Sequence, residues 1–333
     1  MAPMDGVTDF AFRHTTALVA KPDVMFTEFT NATGLFYAPD RLLRDFEYSE
    51  IERPIVAQIY GNNPEDFYKA THVVCELGFD GVDINMGCPA KTVANNNCGA
   101  KLITLPDLAL QIMAATRQAT IDWANGQKLE DLKIRKARLI DLVKEMNIRR
   151  TGQETVARRR IPFSVKTRIG FDAIVIESWV QQLLQEAPAV ISIHGRTLKQ
   201  MYKGFAHWDA IQKAGELIHQ QGNGTLVLGN GDIKSIQDAC TRIEQSGVDG
   251  ALIGRASIGN PWIFKNPGKI SIQERFHAAL EHAKHYQSIR GSEHFQSIRK
   301  HLTGYLSCFP EAARYRMLAL KTNSLEELKE ALQ

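Results

Sequence analysis

The chain has 333 residues, 44% of them hydrophobic and 23% charged, with 40 Lys+Arg against 37 Asp+Glu for a formal net charge of +3. That length suits one large α/β unit plus a smaller one, and the composition excludes a disordered or fibrous chain. No run of 18 apolar residues suggests a membrane span, no basic-then-apolar leader opens the chain, and Cys75, Cys88, Cys98, Cys240 and Cys308 form no CxxC pair, so a cytoplasmic protein without a zinc ribbon or disulfide framework is expected.

Eight short, mostly β-branched and apolar runs are predicted as strands buried on both faces: residues 1–4, 24–28, 55–59, 81–85, 163–168, 190–194, 225–230 and 250–254. The first starts at residue 1, so it is expected to be very short or to lack its first residues. Helical patterns separate most of the runs. One covers residues 65–77, with Phe67, Val74 and Leu77 set to point inward. Residues 102–160 exceed what one crossover needs. Leu108, Ile112 and Ala115 predict the expected helix there, and Leu139, Leu142, Val143 and Met146 predict a second. The remainder, with Arg149, Arg150 and residues 158–160, reads as a basic surface insertion near 126–160. Further helices are predicted over 174–185 and 233–245. Eight β/α repeats favour a closed (β/α)8 TIM barrel over an open sheet, spanning residues 1–264. After Pro261 the period changes: Phe295, Ile298, Leu302 and Leu306 recur at helical spacing. Residues 314–320 and 324–332 predict two more helices, the latter with Ser324 as N-cap and Glu327 three residues on. Residues 265–333 are therefore expected to form a small all-helical domain.

The charge is unevenly spread. Residues 126–160 hold 11 Lys/Arg against 5 Asp/Glu, and residues 265–333 hold 11 against 7. An acidic body with two basic segments suggests a polyanionic partner such as a nucleic acid; solvated helix faces are the alternative.

In a β/α barrel the residues just after each strand gather at one rim. Here that rim carries Pro3, Met4, Glu28, Gln58, Asn85, Cys88, Lys166, Arg168, His194, Arg196, Asn230-Gly231-Asp232 and Gly254-Arg255. The last two loops predict a phosphate site, since glycine turns let backbone N–H groups approach an anion; plain tight turns are the alternative. Lys166 can face negative charge on a cofactor ring such as a reduced flavin, or it pairs with Asp83 or Glu28. His194 can bond a ring carbonyl or a phosphate, or it is a satisfied core histidine. It has no second histidine at ligand spacing, so no metal is expected. Gln58 suits the donor–acceptor edge of an isoalloxazine ring, and Met4 can lie beside such a ring; both can equally be rim packing. Cys88, clamped by Gly87 and Pro89 with Asn85 nearby, is a nucleophile, a proton donor or inert packing. Cys98 and Cys75 read as structural.

With these residues in view, the chain resembles the tRNA-dihydrouridine synthases, bacterial type. The resemblance rests on Ala2-Pro3-Met4-Asp5-Gly6-Val7-Thr8-Asp9, Ala57-Gln58-Ile59-Tyr60-Gly61, Asp83-Ile84-Asn85-Met86-Gly87-Cys88-Pro89, Val165-Lys166-Thr167-Arg168, His194-Gly195-Arg196-Thr197, the stretch from Gln200 to Trp208, Gly229-Asn230-Gly231-Asp232 and Gly254-Arg255. It runs from residue 1 to about 330, interrupted near 126–160. It implies an FMN-containing barrel, a helical tRNA-binding domain, and reduction of the C5–C6 double bond of tRNA uridines with NADPH as electron source. It implies Cys88 as general acid. Pro3, Met4, Gln58, Lys166, His194, Asn230, Gly231, Asp232, Gly254 and Arg255 would be cofactor contacts, and Asn85, Arg168 and Arg196 substrate contacts. A monomer without membrane attachment is expected. Two departures stand out: the family normally begins several residues before the Ala-Pro-Met motif, and the basic insertion is atypical of the compact form. Two other readings remain open: a flavin oxidoreductase of a free pyrimidine-like metabolite, and a non-catalytic RNA-binding relative.

Overall fold

The computed structural model describes residues 1–134, 136–221, 223–265 and 268–333; Arg135 of the basic stretch, and Asn266 and Pro267 of the helical one, lie outside the described residues. Seven strands form one parallel sheet in sequence order: β1 (Met25–Asn31), β2 (Ile55–Tyr60), β3 (Gly81–Met86), β4 (Phe163–Gly170), β5 (Val190–Thr197), β6 (Leu226–Asn230) and β7 (Gly250–Leu252). This corrects the eight-stranded closed barrel expected from the sequence. Residues 1–4 do not pair as a strand. The Met1 amino group donates to Val24 O at 2.8 Å and the Ala2 N–H to Ile253 O at 2.8 Å, one bond toward each edge of the sheet. A ladder needs a repeating series of such bonds. At Met4 the chain has already turned, and the Met4 N–H donates to Thr8 Oγ1 at 3.0 Å.

The other seven predicted strands are present, with ends that move by a few residues. β3 is buried along its whole length, as a parallel strand covered on both faces should be. The crossover helices lie outside the sheet. They are α1 (Phe10–Ala20), α2 (Pro64–Glu76), α3 (Pro106–Ala124), α4 (Arg138–Thr151), α5 (Ile176–Leu183), α6 (Trp208–Gln220) and α7 (Ile236–Ser246). In α2, Phe67, Val74 and Leu77 at its C-cap are buried against the core as predicted. Asn63 caps its start, accepting from the N–H groups of Glu65 and Asp66. Four residues of the core alone, Val82, Ile84, Val165 and Ile191, come from three adjacent strands and are fully buried.

The stretch after α3 contains α4, as predicted. Its flank runs along the amino ends of the strands, where its arginines find carboxylates. Arg149 meets Glu47 at 2.6 Å, Arg150 meets Glu50 at 3.2 Å, Arg158 meets Glu76 at 3.2 Å and Arg159 meets Asp80 at 2.5 Å. Asp80 stands immediately before β3 and Glu76 ends α2, which fixes this region to the end of the sheet where strands begin.

After a 3-10 turn at Pro261–Phe264, four helices follow: α8 (Ile272–Arg290), α9 (Arg299–Tyr305), α10 (Ala312–Ala319) and α11 (Leu325–Ala331). They share a second core that includes Phe295, Leu302, Tyr305 and Leu328 and extends onto Ala11 of α1 and Trp262. Gly259, at φ +62°, passes so close to α9 that an added Cβ would sit 2.4 Å from Gly304 Cα. Ser324 caps α11 as predicted. The Glu327 carboxylate, however, accepts from the Asn323 N–H at 2.8 Å and not from the cap residue itself. No single described helix is long and apolar enough to cross a membrane.

Candidate active site

A cavity of about 1410 Å³ opens at the carboxyl ends of the strands. This exceeds the roughly 300–1,000 Å³ of a single small-molecule site, leaving space for two ring systems. Every rim residue singled out from the sequence as a cofactor or substrate contact lines it: Pro3, Met4, Gln58, Asn85, Cys88, Lys166, Arg168, His194, Arg196, Asn230, Gly231, Asp232, Gly254 and Arg255. Strand register explains this convergence. Asn85 pairs with Lys166 across β3 and β4, Arg168 with His194 across β4 and β5, and His194 with Asn230 across β5 and β6. Glu28, expected at the same rim, is buried and is not among the lining residues.

One wall is a relay of polar side chains. The Ser164 hydroxyl donates to Asp83 at 2.5 Å, and Gln58 Nε2 donates to the other Asp83 oxygen at 2.7 Å. Gln58 Oε1 accepts from Asn85 Nδ2 at 2.8 Å. Asn85 Oδ1 in turn accepts from the N–H groups of Gly87 and Cys88 at 3.0 and 2.8 Å. The relay therefore runs from inside the sheet to the backbone of the cysteine turn. Arg168 clamps the same turn from the other side, its Nε donating to Gly87 O at 2.6 Å and its Nη1 to Thr197 O at 3.1 Å. Much of Arg168 is thus spent on holding the turn.

Cys88 is 8% exposed and sits beside Val93 and Cys98, with Phe29 and Tyr60 packed against the group. Burial pushes its thiol above the ordinary range, so it is held protonated near neutral pH. This favours proton donor over nucleophile among the three sequence readings. Cys98 is also buried, its thiol pushed up to about 11, and donates to Asn96 O at 3.2 Å; Cys75 is in the core of α2.

Lys166 bonds neither Asp83 nor Glu28, the pairings considered from sequence. Its Nζ donates to Asn230 Oδ1 at 3.2 Å, and Asp83 is occupied by Gln58 and Ser164. Burial, with Arg168 nearby, lowers the Lys166 ammonium to about 8. Burial and the surrounding Lys166, Arg168, Arg196 and Arg255 charges hold His194 neutral, at about 2. Neither ring nitrogen of His194 has a hydrogen-bond partner among the described residues, which rules out the satisfied core histidine.

The two glycine turns behave as a phosphate cradle would. Gly231 adopts φ +137°, and a Cβ there would lie 2.6 Å from Ala206 Cβ, so only glycine fits. Asp232 opposes its own burial with bonds from Arg196 at 2.7 Å and the Ala206 N–H at 2.8 Å, which hold its carboxyl below the usual range. Its second oxygen accepts from Arg255 Nη2 at 3.1 Å. Asp232 thus orients two guanidinium groups and is itself poorly suited to contact an anion, in contrast with the cofactor contact expected of it. Arg196 Nη1 is buried with no partner among the described residues. An orphaned cationic donor, an under-bonded lysine and an unpartnered neutral histidine around one cavity fit an anionic, ring-bearing group such as FMN. Among the described residues no group of three or more His, Cys, Asp or Glu could hold a metal ion.

Sequence reading considered Asp83 only as an ion-pair partner of Lys166 and missed Ser164 as part of the site. The signal was available: each lies two residues before a rim residue on the same strand face, Asp83 before Asn85 and Ser164 before Lys166. It gave no role to Met201, Tyr202 and Phe205, which lie within the Gln200–Trp208 stretch that resembles the family and form an apolar mouth to the cavity.

The family model described as dihydrouridine synthase (Dus) matches residues 1–122 and 141–333. A "Probable tRNA-dihydrouridine synthase" of Staphylococcus aureus (strain MRSA252) is 33% identical over 342 residues, covering 100% of this chain and 91% of that protein. A "Probable tRNA-dihydrouridine synthase 2" of Bacillus subtilis (strain 168) is 33% identical over 341 residues, covering 100% and 92%. A solved structure of DHODH from Eimeria tenella in complex with ferulenol aligns with a TM-score of 0.42 at 15% identity over 70% of this chain and 60% of that one, a likeness too slight to argue from.

Proposed function

Since the chain belongs to the dihydrouridine synthase family and is a flavin-dependent oxidoreductase acting on CH–CH bonds, we propose that it reduces the C5–C6 double bond of uridines in tRNA, with FMN in the cavity and NADPH as electron source. The observation that carries this reading is a buried thiol, Cys88, lining the same cavity as the half-buried Lys166. The chemistry FMN supplies when bound is transfer of a hydride from NADPH to C6 of the uracil. Residues of the chain do the rest. Lys166 and His194 hold the ring system, and Gln58 and Met4 border it. Arg255 and the N–H groups near Gly231 and Gly254 hold the phosphate. Asn85 and Arg196 orient the uracil. The Cys88 Sγ–H bond breaks as its proton passes to C5, and the thiolate takes a proton back from solvent. Each turnover therefore consumes one NADPH and one proton per uridine reduced.

In this reading residues 1–264, built on the seven-stranded parallel sheet, form the FMN-binding unit. Residues 265–333 form the tRNA-binding domain. The target base must leave its stack to enter the cavity, a cost that phosphate contacts offset.

The test is mass spectrometry of tRNA incubated with the purified flavoprotein and NADPH, wild type against Cys88→Ala. Wild type should form dihydrouridine. Cys88→Ala should keep bound flavin and its reduction by NADPH, but lose about 10²–10⁴-fold in product formation, the usual worth of a general acid. Normal product formation by Cys88→Ala removes the acid assignment. A wild type that reduces free pyrimidines but not tRNA removes the substrate.

A further inference from the structure

Phe205 is 86% exposed, more than any other large apolar side chain among the described residues, and it lines the mouth of the cavity. Tyr202, 60% exposed, and Met201, 40% exposed, flank it on the same loop between β5 and α6. Exposed aromatic surface is costly to leave in water, and a cluster of it beside a cavity marks a contact site.

The loop is tethered at both ends and across its middle. Its entry is held by the Leu198 and Lys199 N–H groups on Gly170 O and Phe171 O, both at 3.0 Å. Arg196 Nη2 donates to Gly204 O at 2.6 Å, immediately before Phe205. The Ala206 N–H donates to Asp232, and the His207 N–H to Gly195 O at 2.6 Å, immediately after it. Phe205 is therefore presented by a fixed backbone, and a partner has little ordering entropy to overcome there.

The surroundings are cationic. Lys199 and Lys203 are exposed on the loop, and Lys234 is exposed on the cavity rim. Arg255 is 58% exposed with its guanidinium 5.2 Å from the Tyr202 ring centre. An aromatic platform among cations matches single-stranded nucleic acid, which offers a flat base and a phosphate at each step.

Resting on the proposed substrate, we propose that Phe205 stacks on a nucleobase adjacent to the one in the cavity, while Lys203 and Lys234 face the phosphates that join them. Phe205 is thus a second base-binding site, outside the reaction centre. It holds open the single-stranded stretch from which the target base is drawn.

The test compares flavin-loaded wild type, Phe205→Ala and Phe205→Trp by fluorescence anisotropy with a labelled tRNA transcript. Reduction of the bound flavin by NADPH is followed in parallel. An exposed side chain can be truncated without unfolding the protein. Phe205→Ala should weaken RNA binding by roughly fivefold to a hundredfold, the range for loss of one stacked base. Phe205→Trp should restore it, and flavin reduction should be unchanged in both. Equal RNA affinity for Phe205→Ala overturns the proposal. So does slower flavin reduction with RNA affinity intact, which would make NADPH the occupant. A wild type that binds tRNA but forms no dihydrouridine sinks the proposed reaction and leaves this inference standing. Turnover with an indifferent Phe205→Ala does the reverse.

Discussion

At the amino ends of the strands, Arg149, Arg150, Arg158 and Arg159 each meet a carboxylate of the body. At the carboxyl ends, Lys166 has only the neutral Asn230 as a hydrogen-bond partner among the described residues, and Arg196 keeps one buried donor free. Both ends are rich in cations, yet only one keeps them available. A local excess of basic residues counts charge without saying where its partners are. The insertion near 126–160, basic in isolation, is largely neutralised by Glu47, Glu50, Glu76 and Asp80, which come from elsewhere in the chain. It also sits at the end of the sheet away from the cavity. Its arginines therefore bind the insertion to the body, and the cavity end is the one that can attract an anion.

The comparison breaks first if Lys166 proves dispensable. Lys166→Met should cost about a hundredfold or more in dihydrouridine formation, the scale for loss of one well-placed electrostatic donor. FMN affinity of the apoprotein should fall with it. A pH series gives the sign independently. Burial lowers the Lys166 ammonium to about 8, so its charge is complete at lower pH and is lost as pH rises through that value. FMN should therefore bind the apoprotein more weakly above about pH 8, and Lys166→Arg should carry tight binding to higher pH. A flat profile, measured by quenching of flavin fluorescence, would show that this cation does not face the cofactor.

The opposite end is tested by stability. Arg150 is 9% exposed and its guanidinium lies 4.1 Å from the Tyr48 ring centre. It donates to Leu77 O at 2.6 Å and to Asn147 Oδ1 at 3.0 Å. Arg150→Met keeps bulk but leaves those acceptors short of a donor, at about 1–3 kcal/mol for a buried one. Urea denaturation should register that loss while tRNA affinity stays as it was.

Salt dependence sharpens the contrast further. Lys203→Gln and Lys234→Gln should each reduce the slope of log affinity against log salt for tRNA by about one, if each meets a phosphate. A slope unchanged by either substitution would place the RNA elsewhere on the molecule.

Much of this site was legible because the strand ends carry their own markers. An apolar run that stops at Lys166, His194 or Asn230 names a rim residue, and parallel register brings such residues to one level. Asp83 was harder to assign. A carboxylate inside a strand reads as an ion-pair partner, and only the fold shows it engaged by Ser164 and Gln58. The first strand failed for a different reason. Residues 1–4 have the right character, but strand status depends on a hydrogen-bond ladder, which composition does not report. Phe205 and Tyr202 fall in the Gln200–Trp208 stretch that the family resemblance covers, but their exposure was unreadable because nothing local tells a loop aromatic that folds inward from one that faces water. The insertion was misleading for the same non-local reason, since the carboxylates that neutralise it lie up to 102 residues away along the chain.

The smallest expected effect is also the most discriminating. Replacing Arg149, Arg158 and Arg159 together with Gln removes three positive charges from the most basic stretch of the sequence. If charge alone governed RNA binding, the salt slope would drop by as much as three and affinity would fall severalfold at moderate salt. If the pairing with Glu47, Glu76 and Asp80 governs instead, neither should change. Those arginines are already neutralised, and their substitution uncovers carboxylates at the end of the sheet farthest from the cavity. Stability should fall only slightly at Arg149 and Arg159, each 62% exposed, since solvent-screened pairs are worth about 0–1 kcal/mol, and more at Arg158, which is 30% exposed and donates to Trp123 O and Gln127 O. Filter binding at two salt concentrations separates the outcomes. A lowered slope would mean that tRNA reaches around to the amino ends of the strands, and that the two ends share the work that the structure divides between them.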